Sequence, residues 1–166
     1  MLEKLSQYTL AVELIKRHAR IAIILRETKA PKKMIKKAYR EMIGKSGSSG
    51  PIRDSSRGLT KNMRQFKEAT LFAGILHIIE QKSTGNNIEN VIQAFDFYQN
   101  TSRTKLIDFT TAWVIARDMR LKHLLLTKCE FCGSTAIVFV INEKSNDRCA
   151  VCKNNIQKIL FSNKPN

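Results

Sequence analysis

The sequence predicts a mainly α protein: a helix-turn-helix-like N-terminal module and a small helical bundle, followed by a C-terminal four-cysteine zinc ribbon. Three observations predict it. Apolar residues recur at helical spacing as far as about residue 121, a Gly/Ser/Pro-rich stretch interrupts the chain near residue 50, and all four cysteines gather into two Cys-x-x-Cys pairs. The expected divisions are a DNA-binding module over 1–44, a flexible loop over 45–60, a helical region over 61–127, the ribbon over 128–155 and a tail over 156–166.

The first helix is read from Leu10 to Leu25, where Leu10, Leu14, Ile21 and Leu25 form an apolar stripe and Glu13, Lys16, Arg17 and Arg20 a polar one. Thr28–Pro31 breaks it, with Pro31 suited to the first turn of a new helix because its missing N–H has no partner there anyway. The second helix, from about Lys32 to Ile43, stops at Gly44. Lys45–Thr60, dense in Ser, Gly and Pro, reads as a linker or a long exposed loop.

A long helix over Asn62–Gln81 follows, with Met63, Phe66, Thr70, Ala73, Leu76 and Ile79 as its apolar face. Gly85 and Asn86 break the chain, and Asn87 is positioned to cap a helix through Tyr98. Another helix runs from Thr104 to about Leu121 around the single tryptophan, Trp113. Three helices with short connections form a small bundle. Phe95, Phe97, Tyr98 and Trp113 are assigned to its core. Thr135–Ile141, rich in Val, Ile and Phe and ended by Asn142–Asp147, is one strand of a hairpin.

The cysteines carry the most specific chemistry. Cys129 and Cys132 form one pair, Cys149 and Cys152 the other, and 16 residues separate them. Each pair places two thiolates on one tight turn, and a hairpin between the pairs brings the turns together as a tetrahedral shell for one Zn²⁺ per chain. Gly133 suits the turn after the first pair. A thioredoxin-type redox pair needs a βαβ setting that is missing, so zinc is preferred to redox chemistry. Four protein thiolates close the shell to water, which makes the metal structural and removes the most obvious enzymatic reading. No other catalytic constellation is visible. His18, His77 and His123 lie apart in helical patterns and read as surface or packing residues.

Charge points to the partner. Twenty-nine Lys and Arg against 14 Asp and Glu give a net charge of +15 and a pI near 10.0, which favours a polyanion. Arg26, Lys29, Lys32, Lys33, Lys36, Lys37 and Arg40 face a single acid, Glu27, within Arg26–Arg40. Lys33, Lys36, Lys37 and Arg40 share an arc of about 100°, with Met34, Ile35, Ala38 and Met42 opposite. A solvated lysine face is the plainer reading of such a helix. The preceding helix and short break favour major-groove docking, with Lys32, Lys33, Lys36, Lys37 and Arg40 as the DNA-binding residues. Lysines supply phosphate affinity but little base discrimination, so a partner is expected to add specificity. An RNA- or ribosome-binding zinc ribbon is the alternative, but single-strand binding favours stacking aromatics and the segment offers only Tyr39.

The longest charge-free apolar run, Ala69–Ile79, is about half the length of a membrane span, and the N-terminus carries Glu3 and Lys4 where a signal would be apolar. A cytoplasmic protein is expected, where paired cysteines bind metal rather than form disulfides.

Taken as an ordered set, several segments resemble the FlhC family of flagellar transcriptional activators. They are Ala11–Ile15 through Ala19-Arg20, the basic helix ending Tyr39–Glu41, Val91–Phe95 with Tyr98, Thr111–Trp113 with Val114, and the cysteine spacing. The likeness runs from about residue 9 to 153. It implies a DNA-binding subunit that acts with a smaller helical partner, FlhD, in a hetero-oligomer. Such a complex binds promoter DNA and recruits RNA polymerase to activate flagellar genes. The family's zinc ligands carry over onto Cys129, Cys132, Cys149 and Cys152. FlhC-like activators of conjugative transfer genes are similar too, and the Ser/Gly/Arg-rich 45–60 stretch and short tail leave that alternative open.

Overall fold

The computed structural model describes residues 2–48, 50–141, 144, 145, 149 and 152. They form two compact units. One comprises the residues up to Asp54 together with Asp108–Thr111, and the other comprises Ser55–Ile107 and the residues from Ala112 on.

The first unit contains α1 (Leu2–Lys16), α2 (Ile21–Thr28) and α3 (Lys32–Ile43), each packed on the other two. The helix expected over Leu10–Leu25 is therefore two helices. No Gly or Pro marks the break. Its cause is burial: Leu14, Ile15, Ile23 and Ile24 are all fully buried. Nine residues of continuous helix would put Ile23 about 180° from Leu14, on the solvent side. A turn at Arg17–Arg20 resolves this, with His18 in the left-handed region at φ 55° and Arg20 extended at ψ 144°. The Ala19 N–H donates to Leu14 O at 3.0 Å across it.

Helix α2 ends at Lys29 (φ 54°), and α3 starts after Pro31, which serves as N-cap one position before its expected place. Gly44 closes α3 at φ 75°, its N–H donating to Arg40 O at 2.9 Å. Part of the expected exposed loop packs back on this unit. Ile21 N–H donates to Ser48 O (3.1 Å) and Arg20 Nη1 to Pro51 O (2.9 Å). A Cβ on Gly47 would lie 2.8 Å from the Tyr39 ring, so the close approach requires glycine.

The second unit opens with a 3-10 turn, Arg57–Thr60, whose Leu59 is buried. Helix α4 (Met63–Lys82) is capped by Asn62, whose side chain accepts from Arg64 N–H and Gln65 N–H. Its buried face is Phe66, Ala69, Phe72, Ala73, Ile75 and Leu76, broader than the expected stripe, since it touches both α5 and the sheet. Helix α5 (Asn87–Thr101) starts at the residue expected to cap it, because Asn86 takes the cap instead and forms a reciprocal capping box with Glu89. Phe72 and Tyr98 meet edge to face at 6.2 Å. Phe97 corrects the expected core: it is 58% exposed, whereas Phe95, Tyr98 and Trp113 are buried.

Helix α6 (Phe109–Arg120) begins later than expected because Asp108 accepts the Thr111 N–H at 2.7 Å, and Ser102–Ile107 is held in loop form. Its lower half anchors the start of this unit. Buried Asp118 accepts Ser56 N–H (2.8 Å) and Oγ–H (2.7 Å) on Oδ2, and Arg117 Nη2 (2.8 Å) on Oδ1. Three antiparallel strands complete the unit in the order β1 (Leu124–Lys128), β2 (Thr135–Ile141), β3 (Lys144–Ser145). Lys128 pairs with Thr135 and Leu124 with Phe139, and α4 lies against β1 and β2. The three histidines are exposed, and only His77 lies within a helix; His18 and His123 sit in turns. The expected tail, 156–166, and the last residues of the expected ribbon lie outside the described residues.

Candidate metal centre and cationic helix

The sheet delivers the cysteines. Strand β1 ends at Lys128 and β2 begins at Thr135, so Cys129–Ser134 is itself the turn of the β1–β2 hairpin. The hairpin expected between the pairs is β2–β3, which carries the chain on towards Cys149 and Cys152. Gly133 adopts φ 68°, and its N–H donates to Cys129 O at 2.8 Å; nothing crowds its Cβ position, so conformation alone explains the glycine. Leu124–Lys128 escaped the sequence reading because a leucine-rich run has no β-branched signal; only the turn chemistry after it points to a hairpin.

The four Sγ atoms all lie within 4.8 Å of one another. Cys129–Cys152 and Cys132–Cys149 are each 3.8 Å apart. A disulfide requires about 2.05 Å. Sulfurs at the corners of a tetrahedron with metal–sulfur bonds of about 2.3 Å sit about 3.8 Å apart. The donor set therefore fits one thiophilic ion with all its ligands from this chain. Cys129 and Cys149 are buried, Cys132 is exposed and Cys152 half-buried.

Proton affinities divide the set in two. The N–H groups of Cys149 and Cys132 bring the Cys129 thiol down to about 6, and Cys149 N–H lies 3.4 Å from its sulfur. Ser134, through N–H and hydroxyl, lowers Cys132. Desolvation raises Cys149, and desolvation with the neighbouring thiols pushes Cys152 up to about 12. Hydrogen-bond donors thus favour the thiolate form at Cys129 and Cys132, whereas burial favours the neutral thiol at Cys149 and Cys152, where a bound cation would supply the compensating charge. Ser134 was not singled out in the sequence; its position two residues after Cys132 is the signal that finds it.

On the other unit, α3 buries Ile35 and Tyr39 and exposes Lys32, Lys33, Lys36, Lys37 and Arg40. Met42, expected opposite the cations, is 40% exposed. Tyr39 is buried, which removes the one aromatic the basic segment offered for base stacking. The ion pair Lys37–Glu41, 3.8 Å long between side chains 77% and 65% exposed, neutralises little of the face. Three residues, Lys29–Pro31, join α2 to α3, within the range of helix-turn-helix connections.

Comparison with known proteins adds the following. A family model described as flagellar transcriptional activator (FlhC) matches residues 1–159. The chain is 27% identical over 153 residues to the flagellar transcriptional regulator FlhC of Nitrosomonas eutropha, covering 88% of this chain and 78% of that protein. It is 23% identical over 156 residues to that of Cupriavidus necator, covering 92% and 76%. The regulator of Sodalis glossinidius is 26% identical over 150 residues, covering 86% and 75%. Among the described residues no helix is long and apolar enough to cross a membrane.

Proposed function

The chain belongs to the FlhC family of flagellar transcriptional activators, and on that premise we propose that it is the DNA-binding, zinc-containing subunit of a cytoplasmic activator. It acts with a small helical FlhD-like protein, binds double-stranded promoter DNA and recruits RNA polymerase to flagellar operons. The observation that carries the DNA reading is the cationic face of α3: five exposed basic residues with an apolar opposite side seated in the first unit. Lys32, Lys33, Lys36, Lys37 and Arg40 contact phosphates or groove edges. Burial of Tyr39 supports duplex over single-stranded nucleic acid.

The ion is Zn²⁺, which accepts four thiolates in a tetrahedron and has no preference for a fifth position. It supplies structural charge compensation, and the protein is not an enzyme. Cys129, Cys132, Cys149 and Cys152 hold it, with Ser134 and the Cys149 N–H orienting their sulfurs.

The test is co-expression with an FlhD-like partner, followed by sizing and binding to duplexes from flagellar and from conjugative-transfer promoters. The expected result is a stoichiometric complex that prefers flagellar promoter duplex and binds it better than either part alone. Preference for transfer promoters would move the target genes; preference for structured RNA would overturn the reading.

A further inference from the structure

We propose a second phosphate-contact surface, carried by the other unit and built from the 3-10 turn and the first turns of α4: Arg57, Lys61, Arg64 and Lys67. The proposal rests on the reading that the chain binds duplex DNA, and extends it to a region with no helix-turn-helix character.

Ser55–Lys67 contains these four cations and no acid, and all four are exposed. Arg64 and Lys67, three apart on α4, are neighbours on one helix face. Among the described residues, Lys61, Arg64 and Lys67 enter no ion pair, unlike Lys16, Arg17, Arg117 and Arg120. The next carboxylate along α4, Glu68, does not neutralise them. It is turned to the hydroxyls of Tyr98 and Ser102. Three such cations, Lys61, Arg64 and Lys67, within seven residues repel one another, and a polyanion relieves that repulsion by releasing its own counterions.

The segment is also held in place, which distinguishes it from a solvated charged loop. Ser56 donates twice to buried Asp118, Leu59 is buried, and Asn62 caps α4. Because Asn62 already takes the N–H groups of Arg64 and Gln65, a phosphate meets side chains here and not the helix terminus. Asp118 is then a positioning residue for this surface, acting through Ser56.

The experiment is a salt titration of duplex binding by the full complex, comparing K61Q/R64Q/K67Q with wild type and with K33Q/K36Q/K37Q/R40Q. Removing three phosphate contacts should flatten the slope of log affinity against log salt by about 2.7 and weaken binding roughly 10-fold or more at low salt. The charge-conserving K61R/R64K/K67R should keep the wild-type slope. Asp118→Asn should weaken binding with all cations present. A wild-type slope in K61Q/R64Q/K67Q, beside a flattened one in the α3 variant, would overturn the second surface and leave the α3 reading standing. Salt-insensitive binding by the wild-type complex would overturn both.

Discussion

The two units hold their shapes by different means. Up to Asp54 the only buried polar side chain among the described residues is Thr28, whose hydroxyl donates to Ile24 O in its own helix at 2.6 Å. Everything else inside is aliphatic or the ring of Tyr39, and the charges point out. From Ser55 on, the interior holds Ser56, Asp118, Ser102 and two thiols, each tied by directional bonds. Apolar packing is indifferent to what the outer face carries, so a cationic binding helix can be built on it without a structural conflict. A polar interior ties particular residues to particular partners, and losing one leaves the other unsatisfied.

Removing the metal is the largest way to test this contrast. Chelation, or Cys149→Ser, leaves desolvated thiols without their compensating charge and should unfold the β1–β2–β3 ribbon while α1–α3 keep theirs. Amide exchange resolved by residue reads both at once. Protection lost in β2 and retained in Leu14–Ile24 is the expected outcome; retained protection in β2 after complete metal removal would show that packing on α4 suffices. Protons compete with the ion for all four sulfurs, so acid should favour release, with protons taken up as the metal leaves.

The second test separates packing from charge within a single helix. Ile35→Ala empties a fully buried site and should cost about 2–5 kcal/mol in a denaturant titration. Lys36→Gln, one position on and exposed, should change stability by less than about 0.5 kcal/mol while weakening duplex binding. Equal stability losses would mean that the cations also serve the fold.

The same contrast explains what the sequence reveals. The metal centre is legible because its chemistry depends on residue type and short spacing, both local: Cys129 and Cys132 on one turn, Gly133 after them. The basic helix is legible as charge and as a helix, since Pro31 and Gly44 bracket it. The break at His18 is not, because it depends on where Ile23 must point once α1 and α3 are in place, a tertiary requirement with no local signal. The clamp of Ser56 on Asp118 joins positions 62 residues apart, and Phe97 is exposed because its neighbours in α5, Phe95 and Tyr98, take the inward positions. Such facts follow from the assembled unit and cannot be read from periodicity alone.

A third test lies in the second unit, at half-buried Glu68. Its carboxylate accepts from the Tyr98 and Ser102 hydroxyls, while Tyr98 Oη accepts the Ile107 N–H at 3.1 Å and Ser102 Oγ the Lys105 N–H at 3.1 Å. One charge thereby organises the whole α5–α6 connection. Desolvation pushes this carboxyl up, but donors from Ser102, Tyr98, Thr104 and the Leu106 backbone outweigh it and hold it below the ordinary 4.5. A folded value below the unfolded one means the stabilisation is complete above about pH 4.5 and is lost as pH falls through the folded value. Glu68→Gln should therefore cost about 1 kcal/mol at neutral pH, and the gap to wild type should close as both are acidified. Paired denaturant titrations from neutral pH down to about pH 3 measure it. A gap that stayed constant over that range would show that shape, and not charge, makes Glu68 the organiser of the connection, and the polar unit would then resemble the apolar one more closely than its hydrogen-bonded carboxylates imply.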